Sequence, residues 1–167
     1  MHAVKTTAGL PKGAAYRELA DQLTAVFSGE RDGLANTANM AALLYQALPD
    51  LNWAGFYFLR SGELVLGPFQ GKVACVRIAL GRGVCGSAAR QQKTIVVPDV
   101  REFPGHIACD AASHSEIVVP LACNGRLLGV LDLDSPLPAR FDREDAAGLE
   151  AAVELLLRHS EAGWLAD

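Results

Sequence analysis

The spacing of hydrophobic residues changes twice along the chain. From residue 14 to residue 48 they recur every three or four positions, which predicts two helices. From about 52 to 135 they alternate or form short runs, which predicts six strands and one short helix around Cys85. The helical spacing returns in a C-terminal helix from about 142 to 162, for which Asp142 is a suitable N-cap.

Two dipeptides, Ser61-Gly62 and Asn124-Gly125, separate adjacent strands and predict hairpins. The run "ACVRI" predicts a third strand that includes Cys75. Because hairpins join largely antiparallel strands, we predict an α+β fold with the helices mainly on one face of the sheet. The other face is then left for a pocket, roofed by the long irregular stretch from Asp99 to Ser115.

One face of each helix is predicted to be buried. In the second helix the spacing selects Leu34, Ala38, Ala41, Leu44, Tyr45 and Leu48. In the first strand, alternation places Trp53 and Tyr57 on one side of the sheet and Phe56 on the other.

Composition is that of a globular domain: 167 residues, 50% hydrophobic and 20% charged. A net charge of -4 does not favour binding to nucleic acid or to anionic membranes. Neither a membrane-spanning apolar run nor a signal peptide is evident, so we expect a cytoplasmic protein.

The four cysteines are Cys75, Cys85, Cys109 and Cys123. Their spacing does not suggest a metal site, and each could be a small buried hydrophobe or take part in shared thiol chemistry. Cys109 is the best nucleophile because it lies in the irregular loop, and Cys75 could reach it to form a disulfide. Cys85 lies at a predicted helix start, where the helix dipole can lower a thiol pKa. Cys123, beside the Asn-Gly turn, is interpreted as structural or as a surface thiol.

Carboxylates suggest a ligand. Asp132 and Asp134 share one face of a strand, and hairpin pairing is expected to bring Glu116 near them. Together with Trp53 and Tyr57, these acids suit a ligand with an ammonium group and an apolar tail, such as a free amino acid. The commoner alternative is that this side of the strand faces water.

Several longer motifs resemble one family. The runs "GRGVCGSAA", "VPDV", "FPGHIACDAASHSEIVVPL" and "GVLDLDSP" followed by "RFD" are similar to those of the free methionine-(R)-sulfoxide reductases, which are built on a GAF domain. The resemblance extends from about Trp53 to the C-terminal helix. It implies one GAF domain over residues 1–167, with a six-stranded antiparallel sheet flanked by helices.

The resemblance also implies residue roles. Cys109 becomes the catalytic cysteine, Cys75 the resolving one and Cys85 a further redox-active thiol; whether Cys75 or Cys85 resolves the sulfenic acid stays open. The resemblance implies no bound cofactor and thioredoxin as reductant, and the chemistry favours Glu116 as proton donor to the sulfoxide oxygen. The implied substrate pocket consists of Trp53, Tyr57, Glu116, Asp132 and Asp134.

Other interpretations stay open. A GAF domain can instead be a small-ligand sensor without catalysis, and this is the main alternative. A peptide-sulfoxide reductase, a thiol peroxidase and a non-catalytic interaction module are further ones. The amphipathic terminal helices are compatible with a homodimer, and equally with packing on the sheet.

Overall fold

The computed structural model describes residues 3–105 and 111–161; Cys109, the predicted nucleophile, lies outside these ranges. The described residues form the following elements: α1 (Lys12–Phe27), α2 (Gly33–Ala47), β1 (Trp53–Arg60), β2 (Glu63–Gly71), β3 (Arg77–Ala79), α3 (Gly83–Gln91), β4 (Ile95–Val97), a 3-10 turn (Val100–Glu102), β5 (Ser115–Cys123), β6 (Arg126–Ser135) and α4 (Arg143–His159).

The six strands form one antiparallel sheet in the order β3-β2-β1-β6-β5-β4. Both predicted hairpin turns are confirmed, and Ser61, Gly62, Asn124 and Gly125 all have positive φ angles, as two-residue turns between antiparallel strands require. The predicted α+β class and strand count are therefore correct.

Each face of the sheet has its own hydrophobic core. On one face, Phe56 and Phe58 of β1 pack with the buried sides of α1, α2 and α4. On the other face, Trp53 and Tyr57 pack with α3. The alternation predicted for the first strand is confirmed, and the face with the short α3 retains room for a cavity.

The predicted buried face of α2 was partly wrong. Leu34, Ala38 and Tyr45 are exposed, whereas Asn36 and Thr37 are fully buried. The Thr37 hydroxyl donates to a backbone carbonyl one turn earlier, and the Asn36 amide donates to a serine at the end of α4. Because these hydrogen bonds offset the cost of burying polar groups, α2 can turn a partly polar side inward.

The third strand is also shorter than predicted. It covers Arg77–Ala79, paired with the start of β2, so Cys75 lies in the irregular segment that precedes it. At the C-terminus, Asp142 is the N-cap of α4, as predicted, and forms a capping box with Asp145. No helix in the described ranges is long and apolar enough to span a membrane.

Candidate functional site

A cavity opens on the sheet face opposite α1, α2 and α4. Strands β1, β5 and β6 form its floor, and the start of α3 and the segment after β2 form its walls. It brings together six residues singled out from the sequence: Trp53, Tyr57, Cys85, Glu116, Asp132 and Asp134.

Strand register positions the three carboxyl groups. Asp132 and Asp134 are two residues apart on β6 and therefore share a face. Glu116 on β5 lies directly opposite Asp134. Glu116 and Asp132 are both buried, so the interpretation that this side of the strand faces water was wrong.

Stacked aromatic rings form an apolar wall beside the acids. The ring centroids of Trp53 and Tyr57 lie 5.9 Å apart, and those of Trp53 and Phe69 lie 5.3 Å apart. Gly55 makes this stacking possible, because a Cβ there would lie 2.4 Å from Cβ of Phe69 and 2.7 Å from the Trp53 ring. The Trp53 indole N–H donates to the carbonyl of Lys72 (3.1 Å), which fixes the ring.

Cys85 is a buried hydrogen-bond donor. Its Sγ donates to Oδ2 of Asp132 at 3.2 Å. Burial, followed by the negative charges of Asp132 and Glu116, raises the pKa of the Cys85 thiol well above its usual value. The lowering that a helix start can produce is therefore outweighed here by burial and by the carboxyl groups of Asp132 and Glu116.

Burial raises the pKa values of two neighbouring carboxyl groups, Glu116 and Asp132. Burial and the neighbouring carboxylates raise the pKa of Glu116 well above its usual value. Burial also raises the pKa of Asp132, to about 7, although hydrogen bonds from Cys85 and Glu116 oppose this rise. Both carboxyl groups therefore hold a proton more tightly than an exposed carboxyl group does.

At the cavity, a buried oxygen of Asp132 is left unsatisfied by the described residues. Among the described residues, no hydrogen-bond partner reaches Oδ1 of Asp132. Sγ of Cys85 and carboxyl oxygens of Glu116 and Asp132 lie within 4.8 Å of one another, a set of atoms that could also hold a divalent cation. A ligand ammonium group would satisfy the same oxygen with a hydrogen bond.

Sequence reasoning missed several residues at the cavity. Lys72, Arg82 and Ser113 line it, and Asn52 donates to the Ser113 hydroxyl at 3.0 Å. Arg82 and Ser113 stand inside the quoted motifs, so their position in those motifs was the available signal. No sequence signal pointed to Lys72, because it lies in the irregular segment after β2, where hydrophobic residues follow no regular spacing.

The other cysteines are placed differently. Cys75 is half-buried at the edge of the site, where its backbone carbonyl accepts a hydrogen bond from the Tyr57 hydroxyl at 3.1 Å. Cys123 is an exposed free thiol at the end of β5, opposite Arg126 in the hairpin. The predicted role of Cys109 falls outside the described residues.

Comparison with known proteins gives a consistent result. The GAF domain family model matches residues 1–157. Protein YtsP of Bacillus subtilis is 55% identical over 143 residues, covering 84% of this chain and 88% of YtsP. The free methionine-R-sulfoxide reductase of Escherichia coli is 53% identical over 141 residues, covering 84% of this chain and 86% of that enzyme.

A solved structure of a related enzyme is similar to this chain in both sequence and fold. The X-ray structure of free methionine-R-sulfoxide reductase from Neisseria meningitidis, in complex with its substrate, superposes with a TM-score of 0.90. The two proteins are 48% identical, and the match covers 95% of each chain.

Proposed function

Since this chain belongs to the GAF domain family and, within it, to the free methionine-R-sulfoxide reductases, we propose that it reduces free L-methionine-(R)-S-oxide to L-methionine with its own cysteine thiols. The observation that carries the proposal is the orphaned Oδ1 of Asp132, buried beside two further carboxyl groups and a wall of stacked aromatic rings.

The acids suit the amino end of the substrate. An ammonium group placed between Asp132 and Asp134 would donate to the orphaned oxygen and offset the buried negative charge. Trp53 and Tyr57 would then face the thioether and methyl group. A peptide nitrogen carries no charge, so a peptide-bound methionine sulfoxide would leave these acids without a cation.

The carboxylate end of the substrate has candidate partners as well. Lys72 and Arg82 line the cavity, and so do Gly83 and Val84 at the N-terminus of α3, where a helix favours an anion. Backbone N–H groups of the loop 99–115 are further candidates for this role. A site charged at both ends selects a free amino acid.

The proposed reaction begins at Cys109. Its thiolate attacks the sulfoxide sulfur, and Glu116 donates a proton to the departing oxygen; the oxygen ends on Cys109 as a sulfenic acid while methionine is released. The raised pKa of Glu116 supports this role, because a buried carboxyl group that holds its proton more tightly can act as an acid.

Cys75 is the better candidate for the resolving thiol. It would attack the sulfenic sulfur, forming a disulfide with Cys109 and releasing water. Cys85 suits this step poorly, because it is buried and its pKa is raised well above its usual value. We assign Cys85 instead a hydrogen-bonding role toward Asp132.

Thioredoxin is the proposed electron donor. A dithiol protein would reduce the disulfide by exchange, so that one substrate consumes two electrons and yields methionine and water. Sulfur atoms carry these electrons, and the scheme uses no bound cofactor. Thiols that are reduced after each cycle fit a cytoplasmic location.

Substrate selectivity tests the proposal. Turnover is measured on free methionine-(R)-sulfoxide and on its N-acetylated, amidated form, with dithiothreitol as reductant and Cys109→Ser as the inactive control. We expect the blocked compound to react at least 100-fold more slowly, in line with the loss of a buried charge pair. Equal rates, or full activity of Cys109→Ser, would overturn the proposal.

A further inference from the structure

We infer that the segment from Lys72 to Val76 is the docking surface for the reducing protein, whose thiolate attacks the sulfur of Cys75. The inference rests on the proposed function, because it concerns how the disulfide between Cys75 and Cys109 is reduced. It adds the surface that recognises the donor and the sulfur atom that receives the attack.

The segment combines apolar exposure with a candidate reactive sulfur. Val73 is 89% exposed and Val76 is 63% exposed, the two highest values among the large hydrophobic residues of the described ranges. They stand two residues before and one residue after Cys75. A single exposed valine is ordinary, but two beside one sulfur provide apolar area for a partner where exchange must occur.

The backbone of the segment is held in place on its inner side. The Tyr57 hydroxyl donates to the Cys75 carbonyl at 3.1 Å, and the backbone N–H of Leu66 donates to the Val76 carbonyl at 3.0 Å. The segment leads into β3, one of the two edge strands of the sheet. A partner therefore meets a segment whose backbone is held at Cys75 and Val76, which lowers the entropy cost of docking.

The other exposed hydrophobic residues of the described ranges lack this combination. Leu34 lies on α2 and Leu137 follows β6, and each is far from any cysteine in sequence. Cys123 is exposed, but it stands next to the polar Asn124-Gly125 turn. Only around Cys75 does the described surface place apolar side chains on both sides of a sulfur.

Reduction of the disulfide between Cys75 and Cys109 proceeds in two exchange steps. The donor thiolate attacks Sγ of Cys75, the disulfide breaks, and Cys109 leaves as a thiolate that takes up a proton. The donor and Cys75 are then joined by a mixed disulfide. The second donor thiol, as thiolate, attacks the donor sulfur of this bond and releases Cys75 reduced, so the donor leaves as a disulfide.

Val76→Ser is the test variant, because Val76 lies outside the cavity whereas Val73 lines its mouth. We expect the KM for thioredoxin to rise roughly tenfold, as expected for the loss of one buried apolar contact, while turnover with dithiothreitol stays within about twofold. Val76→Leu should keep the low KM. The matched control is Leu34→Ser, at a residue with similar exposure (60%) on the opposite face.

Trapping identifies the sulfur that is attacked. Thioredoxin whose second cysteine is replaced by serine is mixed with the oxidised enzyme, and the mixed disulfide is mapped by mass spectrometry. We expect the link at Cys75. A link at Cys109, or an unchanged KM for thioredoxin in Val76→Ser, would overturn the inference.

The two proposals fail in distinguishable ways. Wild-type protein that reduces no methionine sulfoxide with dithiothreitol would overturn the proposed function, and the docking surface with it. Wild-type protein that turns over with dithiothreitol, and whose Val76→Ser variant binds thioredoxin normally, would overturn the docking surface alone.

Discussion

The thiol of Cys85, on α3, donates a hydrogen bond to Oδ2 of Asp132, on β6, over a distance of 3.2 Å. The two residues are 47 positions apart in the chain. This bond joins the short helix to the floor of the cavity, and it makes Cys85 part of a carboxyl cluster rather than an isolated nucleophile. Its consequences for Cys85, Glu116 and Asp132 can each be measured.

Cys85 should resist alkylation in the folded protein. Its buried thiol stays protonated because its pKa is raised well above the usual value, whereas Cys123 is exposed. With iodoacetamide at pH 8, we expect Cys123 to be labelled and Cys85 to react only after unfolding, as read by peptide mass spectrometry.

Substituting Cys85 separates its hydrogen-bonding role from a redox role. Cys85→Ser keeps a hydrogen-bond donor to Asp132, so its turnover should stay within about threefold of wild type. Cys85→Ala loses the donor, and its free energy of unfolding should fall by about 1 kcal/mol. If Cys85→Ser instead abolished turnover with thioredoxin, Cys85 would be a redox thiol after all.

Glu116→Gln should lower kcat by roughly 100-fold or more, because the amide cannot supply the proton to the sulfoxide oxygen. Asp134→Asn is the matched control; it should mainly raise KM, since it weakens the ammonium contact. Single-turnover release of methionine, followed by chromatography, distinguishes the two effects.

The same acid sets a pH dependence. The proposed reaction uses protonated Glu116, whose pKa is raised, so the methionine-forming step should slow as pH rises through that pKa. Glu116→Gln should lack this alkaline decline. A decline that persisted in the variant would show that another group supplies the proton.

Asp132 should make the ligand-free protein less stable as pH rises. Its pKa in the folded state is about 7, above the unfolded value near 3.8. The folded state therefore holds the proton more tightly, and the corresponding stability is complete below about pH 4 and is lost as pH rises through 7. Asp132→Asn should be more stable than wild type at pH 8, by up to a few kcal/mol, with the difference closing at pH 4.

Binding of methionine, the product, should reverse part of this stability difference between wild type and Asp132→Asn. An ammonium group beside Asp132 favours the ionised form, so methionine should stabilise the wild type at pH 8 more than it stabilises Asp132→Asn. Thermal unfolding across pH, with and without methionine, measures both effects. Parallel pH profiles of the two proteins would contradict the assignment.

Local sequence signals predicted the features that depend on neighbouring residues. The Asn124-Gly125 turn fixes a two-residue hairpin, and alternation in β1 placed Trp53 and Phe56 on opposite faces. Because side chains in a strand alternate strictly, Asp132 and Asp134 had to share a face once β6 was recognised.

Features that depend on distant contacts could not be predicted in the same way. The raised pKa of Cys85 follows from its burial and from the nearby Asp132 and Glu116, which no local pattern connects to it. The buried face of α2 also includes Asn36 and Thr37, whose side chains donate hydrogen bonds there, so hydrophobic spacing alone selected only part of that face. The resemblance of the longer motifs to a known family supplied the expected roles of the site residues, which periodicity could not.

A second buried carboxylate, Asp145, should matter for stability alone. It is 1% exposed and accepts hydrogen bonds from the Tyr16 hydroxyl (2.8 Å), from Arg140 (3.1 Å) and from the backbone of Asp142 (2.9 Å), and it also pairs with Lys12. It therefore ties α1 to the first turn of α4, on the sheet face opposite the cavity.

Asp145→Ala should lower the free energy of unfolding by about 3 to 5 kcal/mol, because it leaves the Arg140 guanidinium without this partner and removes half of the capping box. Tyr16→Phe should lower the free energy of unfolding by about 1 kcal/mol. Asp21→Ala, at an exposed position on α1, is the control and should change it by no more than about 0.5 kcal/mol. Denaturant unfolding measures these values.

Since neither Asp145 nor Tyr16 reaches the cavity, the KM for methionine sulfoxide should be unchanged in both variants at temperatures where they remain folded. A large change in KM would show that the two faces of the sheet are coupled.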